Sequence, residues 1–177
     1  MEPQHTLSVF TENRVGLLGR VTAVFTRRTI NIESLTVSES EVVGVHRFTI
    51  VVRAPRAQAV KLAAQLERQV EVLKAFVHDD VEVVPRELCL FKLDVSRLGP
   101  SFEEDVVAMG ARIVTRESAF VIVETTSSPS GTGALRARLA RHGVVEFVSS
   151  GCVALTRPMK TLDAFLDEVE GARRSFG

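Results

Sequence analysis

The apolar positions of this chain change period in a regular order. Leu7 and Val9 alternate with Ser8 and Phe10 in a short period-two run, which Glu12, Asn13 and Gly16 interrupt. Leu17, Leu18, Val21, Val24 and Phe25 then recur at spacings of three and four. That spacing puts them on one face of a helix and leaves Arg20, Thr22, Arg27 and Arg28 outside it. The basic pair stands where this helix should end, because cations in a last turn meet the negative end of the macrodipole. Asn31 opens a strand-like stretch through Ile32, Leu35 and Val37, and Ser38 to Glu41 is polar and turn-like. Phe48, Ile50 and Val52 alternate with Arg47, Thr49 and Val51, which predicts a half-buried strand. Pro55 suits a first helical turn, and the helical period continues through Ala59, Val60, Ala63, Leu66 and Val70. Val72 to Val77 closes the set as a strand.

The resulting order is βαββαβ, which predicts a ferredoxin-like unit: an antiparallel four-stranded sheet with two helices on one face. Asp79, Asp80 and Pro85 mark its end. The second half repeats the order without repeating the residues. Leu88 to Val95 reads as a strand, Phe102, Val106 and Met109 line a short helix, and Ala111 to Thr115 and Phe120 to Thr125 read as strands. Leu135 and Leu139 lie on a helix, and Val144 to Leu155 is strand-like. Ser127 to Gly133, rich in Ser, Gly and Pro, reads as a linker, since it lacks the Lys-Ser/Thr ending of a phosphate-binding loop. Beyond Pro158, Leu162, Phe165, Leu166 and Val169 form an amphipathic face on a terminal helix, which either packs on its own domain or meets a partner subunit. The fold expected is α+β, two tandem ferredoxin-like units with antiparallel sheets, divided as residues 1–80 and 81–177, the second ending in the amphipathic helix.

Composition narrows the function. Of 177 residues, 22 are Lys or Arg and 22 are Asp or Glu, so no net field attracts nucleic acid or an anionic membrane. Trp and Tyr are absent, which removes common platforms for stacking bases, and Arg136, Arg138 and Arg141 read as a solvated helix face. Cys89 and Cys152 sit in apolar runs as small reduced hydrophobes. No apolar run reaches the length of a membrane span and no leader pattern opens the chain, so the cytoplasm is the expected location.

No His-Glu-x-x-His, Cys-x-x-Cys, Gly-x-Ser-x-Gly or Gly-x-Gly-x-x-Gly occurs. His5, His46, His78 and His142 are isolated and read as surface or strand residues, so no metal site and no catalytic residue is expected. Glu103, Glu104 and Asp105 are consecutive acids early in a helix, where the dipole alone explains them. The candidate chemistry lies instead at the turn before the first helix. The first N–H groups of a helix have no intrahelical partner, Gly16 adds no side chain to block an anion, and Asn13 and Asn31, on adjacent connections, each carry an amide that donates and accepts. This outlines a site for a zwitterion.

Glu12-Asn13-x-x-Gly16, followed by Arg27-Arg28-x-Ile30-Asn31-Ile32-Glu33-Ser34-Leu35-Thr36-Val37, resembles the ACT domain of the small regulatory subunit of acetolactate synthase. His46 to Val52, Gln65-Leu66, Val70 to Lys74 and Arg86-Glu87-Leu88-x-Leu90-x-Lys92 continue the resemblance in order. It implies a non-catalytic subunit that binds a large catalytic subunit, raises its activity and confers feedback inhibition by valine in branched-chain amino acid biosynthesis. It implies no cofactor in this chain, with thiamine diphosphate, Mg2+ and FAD in the catalytic partner. ACT domains of the family pair side by side as a homodimer, with the effector between one chain's Asn-x-x-Gly turn and the other chain's strand region. The implied effector residues here are Asn13, Val15, Gly16, Leu17, Leu18, Asn31 and Ile32, with main-chain amides around Gly16 and Leu17 receiving the carboxylate. Thr29 stands where the family usually has Gly, Gly19 where relatives are often polar, Ser149 where a basic residue is usual and Thr115 where an acid is frequent. The alternatives are a stand-alone ACT-type amino-acid sensor acting on another enzyme or on transcription, and an unrelated enzyme on the same fold.

Overall fold

The computed structural model describes residues 2–157 and 162–167. The first unit contains β1 (Gln4–Glu12), α1 (Leu17–Thr26), β2 (Ile32–Glu39), β3 (Val45–Arg53), α2 (Arg56–Leu66) and β4 (Val72–Asp79). Its sheet has the order β2-β3-β1-β4 with antiparallel pairs throughout. Leu17, Val21, Val24 and Phe25 of α1 and Leu62, Ala63 and Leu66 of α2 pack on Leu7, Val9, Phe48, Ile50 and Val52, which are the inward positions of β1 and β3. The helix period therefore predicts the buried face of α1, except that Leu18 remains 48% exposed. In α2 the buried set is Ala59, Leu62, Ala63 and Leu66; Val60 points outward and Val70 lies beyond the helix end.

The second unit contains β5 (Val83–Asp94), α3 (Phe102–Ala108), β6 (Arg112–Arg116), β7 (Phe120–Ser127), α4 (Pro129–Ala140) and β8 (Val144–Ser149), with sheet order β6-β7-β5-β8. Cys89, Phe91, Leu93, Phe102, Val106, Val121, Val123 and Leu139 form its core; Cys89 and Cys152 are both buried and neither forms a disulfide. Two sequence expectations change. The stretch expected as a linker is the end of β7 and the start of α4: Ser128 caps the helix by accepting from Gly131 N–H, and Pro129 occupies its first turn. A Cβ at Gly131 would collide with Ser127 Oγ, so the glycine answers a close approach rather than a need for flexibility. The single strand expected from Val144 to Leu155 is two, because Gly151 takes a left-handed φ of 78° between β8 and β9 (Val153–Thr156); β9 pairs with β5.

The division of the chain also differs from 1–80 and 81–177. Pro85–Val153 forms one compact unit, and the described residues from Ala154 onward group with the first. Leu162, Phe165 and Leu166, in the described helical residues 162–167 (α5), pack on Phe10, Val45, Leu73 and Phe76 of the first sheet, with Leu162 only 1% exposed. Val169 lies outside the described residues. Arg47 Nη2 donates to Ala154 O at 2.7 Å and to Ser8 Oγ at 3.0 Å, while its guanidinium stands 5.4 Å from the Phe10 ring centroid. This return segment covers Phe10, and β1 is buried on both faces, with Thr6, Ser8 and Phe10 nearly as inaccessible as Leu7 and Val9.

Candidate functional site

The turn between β1 and α1 exists because Gly16 adopts φ 80°, a left-handed conformation that costs glycine nothing, and so directs the chain into the helix. No side chain caps α1 and no acid lies in its first turn. Leu17 N–H donates to Arg14 O at 3.3 Å and Arg20 N–H to Gly16 O at 3.3 Å, whereas Leu18 and Gly19 N–H have no partner among the described residues. Of the amides around Gly16 and Leu17 expected to receive a carboxylate, Leu17 N–H is used by the turn itself. Neither Gly16 nor Gly19 has any atom within 4 Å of where a Cβ would stand, so the helix mouth is open.

Beside it lies an open cleft of about 620 Å3 lined by Glu12, Asn13, Arg14, Val15, Arg20, Val70 and Glu71. Its acids are neutralised in place: Arg14 Nε is 3.1 Å from Glu12 Oε2, and Arg20 Nη2 is 2.7 Å from Glu71 Oε1. Asn13 is exposed and Val15 fully so, at 102%. Sequence reading did not bring Arg20, Val70 and Glu71 to this place, since only the β1–β4 pairing and the α2–β4 turn do so.

Asn31 and Ile32 stand elsewhere. Ile32 pairs with Val52, which pairs with His5, so the start of β2 is level with the start of β1. Asn13 follows Glu12, seven residues further along β1, a distance of about 23 Å along the strand. The two connections are adjacent in sequence but lie at opposite ends of the sheet, and within one chain Asn13 and Asn31 do not meet. Ile32 packs partly on the core, and Asn31 Nδ2 donates to Glu33 Oε1 at 3.0 Å. Just before Asn31, α1 ends in a Schellman closure: Thr29 N–H donates to Thr26 O at 3.0 Å and Ile30 N–H to Phe25 O at 3.1 Å. The left-handed position of that motif is Thr29, with φ 55°, a conformation that disfavours a β-branched residue.

Residues 7–74 match the family model of the AHAS small subunit-like ACT domain, and residues 86–158 match that of the small subunit of acetolactate synthase. The chain belongs to the acetolactate synthase small-subunit family. It is 33% identical over 164 residues to the acetolactate synthase small subunit of Mycolicibacterium smegmatis, covering 92% of this chain and 96% of the relative. To that of Bacillus subtilis it is 34% identical over 154 residues, covering 82% and 86%. The crystal structure of the acetolactate synthase small subunit from Thermotoga maritima superposes with a TM-score of 0.81 at 28% identity, covering 89% of this chain and 99% of that one.

The part of the chain matched by the second small-subunit model holds a buried polar cluster. Asp105, on α3 and 4% exposed, accepts from Arg138 Nη2 at 2.9 Å, from Arg141, and from His142 Nε2 at 2.7 Å. The hydrogen bonds from His142 and Arg141 hold its carboxyl well below the usual carboxylate range. Asp105 is therefore more than a dipole-complementing acid, Arg138 and Arg141 more than a solvated face, and His142, 1% exposed, no surface residue. His142 Nδ1 accepts from Gly99 N–H at 3.3 Å, while Nε2 faces Asp105 and lies 3.3 Å from Arg141 Nε. Both ring nitrogens are thus engaged, and Ser101 Oγ donates to Asp105 rather than to His142. The cluster ties α3 to α4 and to the two residues that follow it. Among the described residues no group of three His, Cys, Asp or Glu is arranged to hold a metal, and no helix is long and apolar enough to cross a membrane.

Proposed function

We propose that this chain is the regulatory subunit of acetolactate synthase. It is non-catalytic and acts in the cytoplasm. It binds the large catalytic subunit, in which thiamine diphosphate, Mg2+ and FAD carry the reaction, activates it, and makes it sensitive to valine or a related branched-chain amino acid. The observation that carries this reading is the family match along both halves, 7–74 and 86–158, joined to an uncapped α1 mouth in the first of them.

The effector site we assign comprises Asn13, Val15, Gly16, Leu17 and Leu18 of one copy and Asn31 and Ile32 of a second. A residue's backbone reaches only about 3.5 Å, so no free amino acid bridges Asn13 and Asn31 of one chain. β2 is one of the two edge strands of its sheet, and a two-fold axis that sets β2 antiparallel to its counterpart brings the start of one β2 level with the end of the other. The end of β2 is where Glu39 pairs with His46, which pairs with Thr11, next to the Asn13 turn. Such pairing makes one eight-stranded sheet and covers Leu18 and Val37, which are 48% and 41% exposed. Helix N–H groups take the effector carboxylate, Asn13 and Asn31 its polar groups, and the neighbouring apolar side chains the isopropyl group. A ligand held by two chains favours one dimer geometry over another, and a coupling of about 1–3 kcal/mol gives roughly 5- to 150-fold regulation.

Reconstitution with the catalytic subunit, assayed against valine, leucine and isoleucine, tests the role. Mixing Asn13→Ala and Asn31→Ala chains tests the shared site. Each homodimer should bind valine weakly, while the mixed dimer regains one intact site. No recovery on mixing rejects a site built across two copies.

A further inference from the structure

We propose that Glu33 makes the effector site selective for an ammonium group by fixing the amide of Asn31 as an acceptor. This rests on the effector site assigned above and deepens it.

The β2–β3 register slips between Ile32 and Ser34, which leaves Glu33 as the extra residue of a bulge on the outer strand. Bulges re-aim side chains, and this one sends Glu33 back along the strand to Asn31, whose Nδ2 donates to Glu33 Oε1 at 3.0 Å. An ionised carboxylate only accepts, so the amide must turn its NH2 toward Glu33 and its Oδ1 away. An asparagine without such a neighbour serves a carboxylate or an ammonium equally well by rotating half a turn. Glu33 removes that ambiguity, and its own charge adds a cation-attracting pole beside Asn31. Both residues are exposed, so the bond competes with water, and its effect is to set orientation before the ligand arrives.

The opposite pole has the complementary chemistry. The α1 mouth offers Leu18 and Gly19 N–H groups with no acid in the first turn. Joined across two copies, the poles read an α-amino acid in one direction: carboxylate to the helix, ammonium to Asn31 and Glu33. The corresponding acid without its amino group satisfies only the helix pole.

The test is calorimetric titration of the full-length chain with L-valine and with isovalerate, which keeps the isopropyl and carboxylate groups and lacks the amine. Glu33→Ala should weaken valine about tenfold or more, the scale of a hydrogen bond to a charged group, and leave isovalerate unchanged. Glu33→Gln, which keeps an acceptor oxygen without the charge, should fall between. Light scattering on each variant monitors the dimer, since loss of the pairing would weaken both ligands equally. Equal weakening of the two ligands by Glu33→Ala, or none while Asn13→Ala still weakens valine, overturns the role of Glu33 and leaves the site standing. Unchanged valine binding in both Asn13→Ala and Gly16→Asp removes the site and the role together.

Discussion

The two halves of this chain open alike, with a strand leading into a short helix, yet the mouths of those helices are electrostatic opposites. α1 starts at a left-handed glycine, carries no acid in its first turn and is uncapped. α3 starts after Ser101 and places Glu103, Glu104 and Asp105 in its first turn. A mouth that already holds its own carboxylates has no attraction left for another anion. In α3 two of these acids are engaged within the protein, Asp105 by Arg138, Arg141 and His142, and Glu103 by Arg116 at 2.7 Å. One topology thus supplies two candidate anion sites, and side chains leave only the first of them open. The second has become a clamp between helices.

The contrast can be broken most severely by making α1 resemble α3. Gly16→Asp puts a carboxylate where the effector's own would lie. Nothing stands within 4 Å of the new Cβ, and Asp is among the residues that accept a left-handed backbone. Two like charges about 4 Å apart repel by about 4 kcal/mol at an effective dielectric of about 20, which corresponds to roughly a thousandfold loss of valine affinity. A folded variant with unchanged affinity by calorimetry would refute the assignment of the mouth. Asn13→Ala should cost less, about 1.5–3 kcal/mol if its amide bonds a charged group, and a loss well under tenfold in the same titration would count against that role.

Thr29→Gly sharpens the comparison from the far end of α1. It relieves a left-handed threonine but loosens the unfolded chain, and the net should be a gain of about 0.5–1 kcal/mol, read as a higher urea midpoint for the first unit. An unchanged or lower midpoint would mean that the local strain is already compensated.

The smallest effect on effector binding is expected at Asp105, which lies in the second unit. Its folded carboxyl is held below the unfolded value, so the stability it contributes is full above about pH 4 and is lost as the pH falls further toward the folded-state value. Asp105→Asn should therefore flatten the acid limb of the unfolding midpoint of the second unit and leave that of the first unchanged. Parallel acid profiles for variant and parent would remove Asp105 as the cause.

The elements were legible wherever one face of each was buried, because period then reports packing; α1 is the clear case, whereas β3, expected half-buried, is covered on both faces, with Thr49 and Val51 only 4% and 5% exposed. Period failed at Ser127–Gly133, where small residues gave no rhythm, although Ser128 and Pro129 were legitimate helix-start signals. It failed again for Ser8 and Phe10, the other half of the β1 alternation, which are buried as well, Ser8 beside Arg47 and Phe10 against Leu162. The turn before α1 was legible at Gly16, whose need for a positive φ leaves a mark in the sequence. The placing of Asn13 and Asn31 at opposite ends was not, since register alone decides it. Nor was the Asp105 clamp, whose members lie 33 to 37 positions apart in sequence.

That the first sheet is finished by Ala154 and Leu162 has a consequence for biosynthesis. A ribosome that has released residues 1–84 has delivered all four strands and both helices of this unit, yet Phe10 and Phe76 still lack their cover until Leu162, Phe165 and Leu166 are made. The nascent chain must carry that greasy patch past the synthesis of an entire second unit. A gene fragment cut at Val84 should accordingly yield sticky, poorly soluble material.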